Sequence, residues 1–552
     1  MRLRTTLLYL FLILSCFLIP ACKKPATPET PQTTISINKS VVTLAKDQPF
    51  LARLIVTVQY ATPGESTEVT WSSENPRIAS VDSDGLVKPQ GAGETNILAT
   101  LVSGKGVAKC KVIITDGYDY KYRIVLKDKG VSGFSVNTPG AFLSSKAIAR
   151  RQKYNIPVDE SDLPISPDYI KTIQNIGGIV VAKSKWLNTV SVHCTDQFLI
   201  DKYKALPFVK DVVLVWQGKR AAGPTGQYVD NPQAGSNDPT STPIDYGAAL
   251  DNINTNNGQV LHTKGFKGAG IDIAVIDAGF INLKANPMFK NAHIKGAKSF
   301  VYENNDPYSI DSHGVWVTSC MAANKPGYYV GTAPEANYWL LRSEDESTEH
   351  PIEEDYWVNA IEYADSAGVD IVNSSLSYTV DFYSPADRYT FQQMDGQTAF
   401  ATRGANMAIN KGIFIVNSAG NDRSWVGTPA DAPGVLTTGS VNSKLGIDEF
   451  SAWGITVDGR MKPDVVARGG SVNVINVSGT AEIRSGTSYA SPIMCGLVAC
   501  LWQAFPKLTN KELLGVIRKS GNRADTPIIP YGYGIADMQK AMDLAKVLSD
   551  SK

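Results

Sequence analysis

From Gly270 onward the chain alternates short apolar runs with longer helical stretches, and that alternation restricts the architecture more than any other feature. Ile271–Ile276, Tyr338–Leu341, Val369–Asn373, Ile413–Asn417 and Val435–Gly439 have strand length and composition. Gly314–Asn324, Glu353–Ala367, Thr398–Lys411, Ser488–Phe505 and Asn510–Lys519 read as helices. Unbroken apolar runs suit strands covered on both faces, where a period of two disappears. Strands that alternate with helices need crossover connections. The prediction is therefore a doubly wound, mainly parallel α/β sheet with its functional groups at the carboxyl ends of the strands.

Three polar residues stand where such a sheet would present them. Asp277 follows the run Ile271–Ile276. His313, in Asp311-Ser312-His313-Gly314, and Ser488, in Gly486-Thr487-Ser488-Tyr489-Ala490-Ser491-Pro492, each open a helical stretch, where backbone N–H groups have no intrahelical partner. A serine becomes a nucleophile only with a base in hydrogen-bond reach and a third group that orients the base. Asp, His and Ser in this chain order form one of the recurring arrangements that meet this need.

At these residues the chain resembles the subtilisin-like serine peptidases. The Ser488 segment matches the family's G-T-S-x-A-x-P throughout. Val275-Ile276-Asp277-Ala278-Gly279 is similar to its Asp block, with Ala278 where Thr or Ser is usual. The stretch His313 to Ser319 is similar to its His block and departs from it at Val315, Thr318 and Ser319. Asn417-Ser418-Ala419-Gly420-Asn421 resembles the block whose last Asn donates to the oxyanion. The resemblance spans roughly Tyr246 to Ala545. It implies a peptidase in which Ser488 attacks, His313 shuttles the proton, Asp277 orients His313, and the Asn421 amide with the Ser488 N–H binds the oxyanion. It also implies that Ser375, Leu376 and Ser377 line up an extended polypeptide substrate, with Ser377 where Gly is usual and hence a narrower or more polar pocket wall. No cofactor is implied. Structural calcium is common in the family, but no calcium loop of fixed spacing is legible, and the acidic runs Glu344–Glu346 and Glu353–Asp355 read as a solvated face.

At 552 residues the chain is too long for one core. Residues 1–22 carry Arg2 and Arg4 before the apolar run Leu7–Ile19, too short to span a bilayer comfortably. Ala21-Cys22 then resembles a bacterial lipoprotein signal, which implies export, lipidation of Cys22 and attachment to a membrane through that lipid alone; a plain signal peptide is the alternative. Residues 23–33, rich in Pro, Thr and Lys, read as a tether. Residues 34–116 alternate apolar and polar residues between turns, which predicts a β-sandwich. The stretch from Val69 to Val87 resembles the group 2 bacterial Ig-like domain, read here as a spacer with Trp71 in its core. Residues 120–217 read as an α+β, ferredoxin-like unit, and their position resembles that of a subtilase propeptide; a structural module that is never removed is the alternative. The basic stretch Phe142–Tyr154, with Lys146, Arg150, Arg151 and Lys153, reads as solvated charge. Residues 218–245 are a linker rich in Gly, Pro, Asn and Ser, and residues 246–552 the catalytic domain.

Several functions are excluded. Lys+Arg 53 balances Asp+Glu 53, so no basic excess recruits nucleic acid. No H-E-x-x-H or G-x-S-x-G is present, against a zinc peptidase and an α/β-hydrolase esterase. His193, His262, His293 and His350 show no metal spacing and read as surface or core residues without partners. Cys110, Cys194, Cys320, Cys495 and Cys500 follow no framework and read as buried thiols. The competing function class is a non-catalytic surface binding or adhesion protein on a degenerate scaffold. The joint presence of Asp277, His313, Asn421 and Ser488 weighs against it.

Overall fold

The computed structural model describes residues 33–46, 52–59, 66, 68–104, 106–219, 244–303, 305–345, 349–380 and 382–552. The signal segment with Cys22, nearly all of the tether and most of the linker lie outside them. The chain divides at Gly117/Tyr118 into two compact units.

In the first unit, Val41–Ala45, Val107–Thr115, Gly93–Leu101 and Val69–Ser73 form a four-stranded sheet in that order. Ala52–Arg53, Leu86–Pro89 and Ala79–Val81 form a second sheet. Along Gly93–Leu101 every second residue is buried, as period-two alternation requires of a strand with one face on a core. That core holds Val42, Leu54, Ala79, Val87, Ile97, Cys110, Val112 and Ile114, with Trp71 packed against it.

The second unit begins with an antiparallel sheet of β1 (Tyr118–Leu126), β2 (Ile179–Ser184), β3 (Thr189–Cys194) and β4 (Val209–Lys219), in the order β2-β3-β1-β4. Helices α2 (Pro167–Ile176) and α3 (Leu199–Lys204) cover it, and α1 (Ser145–Lys153) lies in the connection between β1 and α2. The Ser166 hydroxyl accepts from the Asp168 N–H at 3.3 Å with Pro167 at the first helical position, so α2 starts where its cap predicts.

The remainder is built on seven parallel strands: β5 (Asp272–Asp277), β6 (His293–Ser299), β7 (Asn337–Arg342), β8 (Ile371–Ser374), β9 (Phe414–Ser418), β10 (Leu436–Val441) and β11 (Val465–Arg468). They lie in the order β6-β7-β5-β8-β9-β10-β11. The domain's longer helices are α4 (His313–Ala322), α5 (Ile352–Ala367), α6 (Phe400–Asn410), α7 (Thr487–Ala504), α8 (Asn510–Ser520) and α9 (Met538–Asp550), and two short ones, Leu250–Asn254 and Gln259–Thr263, precede β5. The five strands and five helices expected from the pattern are all present, with ends shifted by one or two residues. The edge strand β6 and strand β11 were not expected. All residues of β5, β8, β9 and β10 are buried, as their apolar runs require. Helix α7 is apolar on every side, and Thr487 through Trp502 are all buried.

Two expectations about charge are corrected. Arg150 and Arg151 of α1 are 4% and 1% exposed, not solvated, because carboxylates distant in sequence pair with them; Lys153 is exposed. The acidic runs are not a solvated face either. Glu344, Glu353, Glu354 and Asp355 are all buried. Glu354 accepts from the Tyr389 hydroxyl (2.8 Å) and the Ala401 N–H (2.9 Å), and Asp355 pairs with Arg123. His193 and His262 also have partners: His193 pairs with Asp119 at 3.2 Å, and buried His262 sits 3.0 Å from both the Tyr246 hydroxyl and the Thr332 carbonyl. The five cysteines named above are buried free thiols.

Candidate active site

Asp277 is the last residue of the central strand β5 and is fully buried. Its Oδ1 lies 2.7 Å from His313 Nδ1 and accepts from the Ala278 N–H at 2.8 Å. A carboxylate held in this way fixes which ring nitrogen of His313 carries the proton. His313 is the first residue of α4, and its own N–H donates to Asp311 Oδ1 at 2.6 Å. Helix α4 approaches the strand end closely because Gly314 has no side chain: a Cβ there would lie 2.3 Å from the Gly279 carbonyl oxygen and 2.7 Å from the Phe280 ring. The departures at Thr318 and Ser319 are packing features. Both are fully buried, and the Ser319 hydroxyl donates to Trp316 O (2.7 Å) and accepts from the Ile475 N–H (2.9 Å).

Ser488 is the second residue of α7 and is 7% exposed. The ring of its neighbour Tyr489 is 6.3 Å from that of His313. The Asn421 carbonyl oxygen accepts from the Thr487 N–H (2.8 Å) and hydroxyl (2.9 Å), which fixes the orientation of its side-chain amide. A Cβ on Gly486 would lie 3.7 Å from both Asn421 Nδ2 and the Ser488 backbone nitrogen. The Asn421 amide nitrogen and the Ser488 backbone nitrogen thus both lie close to Gly486, beside the serine.

Ser375, Leu376 and Ser377 continue past the carboxyl end of β8 and separate two pockets of one cleft. The first, about 330 Å³, is lined by Ser375, Ser377, Thr379, Gly420, Asn421 and Ser488, among others. The second, about 220 Å³, is lined by Ala278, His313, Glu344, Glu349, Glu353 and Ser375 to Ser377. Ser377 lines both pockets, and Gly427 makes room for its side chain: a Cβ on Gly427 would lie 2.5 Å from the Ser377 hydroxyl oxygen. Burial pushes the Glu344 carboxyl up to about 8, with Glu349 and Asp277 adding to the rise against hydrogen bonds from Tyr378 and Ser343. Glu353 is raised for the same reason, burial first and then Glu344 and Glu349.

One functional contact was not read from the sequence, although its signal was there. In an α-helix the Ser488 carbonyl would accept from the N–H four residues on, but that residue is Pro492, which has none. The Ser375 hydroxyl donates to the Ser488 carbonyl instead, at 2.9 Å. Asn373 Nδ2 donates to Ser375 Oγ (3.2 Å), and the Ser491 hydroxyl donates to Asn373 Oδ1 (2.8 Å). The end of β8 is thereby tied to the first turns of α7. Among the described residues no group of three or more His, Cys, Asp or Glu is placed to hold a metal ion, and no helix is long and apolar enough to cross a membrane.

Residues 268–535 match the subtilase family, residues 121–227 the peptidase S8 propeptide domain of Bacteroidota, and residues 31–112 the group 2 bacterial Ig-like domain. Subtilisin E of Bacillus subtilis is 28% identical over 288 residues, which cover 51% of this chain and 68% of that protein. Subtilisin of Bacillus pumilus is 28% identical over 288 residues, 51% of this chain and 94% of the relative. The human membrane-bound transcription factor site-1 protease is 28% identical over 301 residues, 52% of this chain and 26% of its own length.

Proposed function

The chain is a subtilase-family serine endopeptidase by its residues 268–535, and from that premise we propose that Asp277, His313 and Ser488 form its catalytic triad. The observation that carries the reading is the fully buried Asp277 carboxylate 2.7 Å from His313 Nδ1, with His313 lining one pocket and Ser488 and Asn421 lining another that shares Ser375 and Ser377 with it. Ser488 Oγ attacks the scissile carbonyl of a polypeptide held along Ser375–Ser377. His313 takes the serine proton on the ring nitrogen that Asp277 does not engage and passes it to the leaving amine. Water, activated by the same His313, then hydrolyses the acyl-enzyme, and Ser488 Oγ regains its proton. The Asn421 amide and the Ser488 N–H bind the oxyanion in both halves. Nucleophile, base and donors all come from the chain, so the reaction calls for no cofactor.

The remaining segments fit an exported, envelope-anchored enzyme. Cys22 carries the lipid, residues 23–33 are the tether and 34–116 the spacer. Residues 120–217 are a ferredoxin-like propeptide domain, a reading supported by the antiparallel order β2-β3-β1-β4 and by the family match over 121–227. The linker 218–245 is where the enzyme cuts itself.

Wild type and Ser488→Ala, purified in parallel, should differ in two ways: only the wild type hydrolyses unfolded casein, and only the wild type gives a shortened chain on a gel. Casein hydrolysis by Ser488→Ala at the wild-type rate would refute the triad, and equal full-length products from an active wild type would refute self-cutting.

A further inference from the structure

Helix α1 lies at the end of the catalytic sheet opposite Asp277. Lys146 Nζ pairs with Asp272 Oδ1 at 3.0 Å and Asp370 Oδ2 at 2.7 Å. Asp272 is the first residue of β5, and Asp370 immediately precedes β8. The segment between β1 and α2 therefore reaches around the catalytic domain, away from the cleft.

There it completes structure that the catalytic domain leaves open. The last carbonyls of a helix have no intrahelical donor and favour a nearby cation. Helix α5 ends at Ala367 with Gly368 at φ +91°, and a Cβ on Gly368 would lie 2.7 Å from Lys146 Cβ and 2.9 Å from Ser144 Oγ. Ser144 N–H donates to the Ser366 carbonyl at 2.9 Å. The Arg150 guanidinium donates to the carbonyls of Val369, Asp365 (3.3 Å) and Lys411 (3.2 Å), thus serving the ends of both α5 and α6. It also pairs with Asp365 Oδ1 at 2.5 Å. Arg151 bridges Asp162 (3.1 Å) and Asp365 (2.7 Å), and Lys411 Nζ closes the ring on Asp159 (3.0 Å) and Asp162 (2.9 Å).

A second set of contacts grips α5 along its flank. Arg123 donates to Asp355 Oδ1 at 2.8 Å and to the Pro351 carbonyl at 3.1 Å. Glu362 accepts from the Ser184 hydroxyl (2.5 Å) and the N–H groups of Lys185 (2.9 Å) and Trp186 (3.0 Å). Ala182, Trp186, Leu187 and Val215 belong to one apolar cluster with Tyr356, Trp357 and Ile361 of α5.

We propose that residues 118–219 are a permanent part of the enzyme and are not shed. When the chain is cut between residues 220 and 243, the two pieces stay together as one non-covalent body, with α1 as the clamp. Peptidase activity and attachment to the N-terminal segments then coexist after processing. The inference goes beyond the peptidase reading, and its test does not depend on catalysis. Pulling the pieces apart would strip Asp365, Asp355, Glu362 and Lys411 of partners in a buried interface, where loss of one member of a pair is heavily penalised.

The test uses the full chain carrying Ser488→Ala, with the recognition sequence of a site-specific protease inserted after Asp230. After cutting, both fragments should elute together on size exclusion at nanomolar concentration and separate only in denaturant. Arg150→Ala/Arg151→Ala should loosen the complex by about 100-fold or more. Lys146→Ala, which removes a half-exposed rim contact, should loosen it several-fold and decides the matter if the double variant does not fold before cutting. Separation of the cut parent chain at nanomolar concentration would overturn the proposal, as would α1 variants that hold as tightly as the parent. In the chain with Ser488 intact, a fluorophosphonate label should co-elute with both fragments. Absence of label from the co-eluting pieces, with label on the C-terminal piece once it is separated and refolded, would overturn the coexistence of activity and attachment; absence of label from both would count against the peptidase reading and leave the co-elution result standing.

Discussion

Replacing Ser375 by Ala removes the side-chain donor that, among the described residues, meets the Ser488 carbonyl in place of the missing N–H of Pro492. Leaving a buried acceptor unsatisfied costs about 1–3 kcal/mol. Ser375 faces both pockets of the cleft, so water can approach the vacated position and the cost falls in the lower part, about 1–2 kcal/mol. The bond holds the backbone of Ser488, the residue proposed to supply both the nucleophile and one oxyanion donor. Its loss is therefore felt in the transition state, as a fall in kcat of about 5–30-fold at 1.36 kcal/mol per tenfold. The main chain at Ser375–Ser377 is unchanged, so KM should stay within about twofold, the pattern of a lost transition-state interaction. Pro492→Ala returns the N–H that the helix lacks. In that background Ser375→Ala should cost little, and the double-mutant cycle should show a coupling of about 1–2 kcal/mol. Steady-state kinetics on a peptide substrate, with urea unfolding of all four proteins, gives the cycle. Equal effects of Ser375→Ala in both backgrounds, or a rise in KM at constant kcat, would refute the reasoning and reduce Ser375 to a substrate contact.

Other outcomes follow from the same geometry. Asn421→Ala should lower kcat by roughly 10²–10³-fold with little change in KM, a magnitude taken from the corresponding donor in subtilisin; Thr487→Val, which frees the Asn421 carbonyl from its hydroxyl donor, should lower kcat in the same sense by less, and a change in KM alone in either variant would point to ground-state binding. The raised Glu344 carboxyl, facing Glu349, Glu353, Asp277, Tyr378 and Ser343, binds a proton more tightly in the folded chain than in the unfolded one. Its contribution to stability is thus present below its ordinary value of 4.5 and is lost as the pH rises through about 8. Glu344→Gln should flatten the fall in melting temperature between those limits, and an unchanged profile would show that Glu344 does not titrate there. Burial pushes the Cys194 and Cys320 thiols up to about 12 and raises Cys110, Cys495 and Cys500 as well. All five should resist iodoacetamide in the native chain and react on unfolding, as intact-mass measurement would show.

Most of the catalytic fold was legible because its central strands and helices are locally consistent: β5, β8, β9 and β10 are continuous apolar runs, and α7 is apolar all round. The edge strand β6, His293–Ser299, was not legible, since its alternating exposure and its two Lys give it no apolar run. Strand β11 is only four residues long and follows Pro463. The proposed site residues each sit in a short motif of their own, and at His313 the following Gly314 permits the close approach of α4 to the end of β5. The charged segments failed for a physical reason. Arg150 and Arg151 sit among polar neighbours on α1, and their partner Asp365 lies more than two hundred positions away. Local sequence reads such cations as solvated; only the tertiary fold brings carboxylates and helix-end carbonyls to them. Glu353, Glu354 and Asp355 failed in the same way. The Ser488–Pro492 spacing did carry a signal, a helical carbonyl with no amide to meet it, but which residue would answer it depended on the register of β8 against α7.

The central claim is that Ser488 is the activated nucleophile of an Asp277–His313–Ser488 triad. Its most direct test is reaction of the purified chain with a fluorophosphonate, followed by peptide mapping. The account predicts a single adduct, on the peptide containing Ser488, that is lost in Ser488→Ala and greatly slowed in His313→Ala and Asp277→Asn. An adduct on any other residue, or labelling of Ser488 at an unchanged rate in the His313 and Asp277 variants, would contradict it.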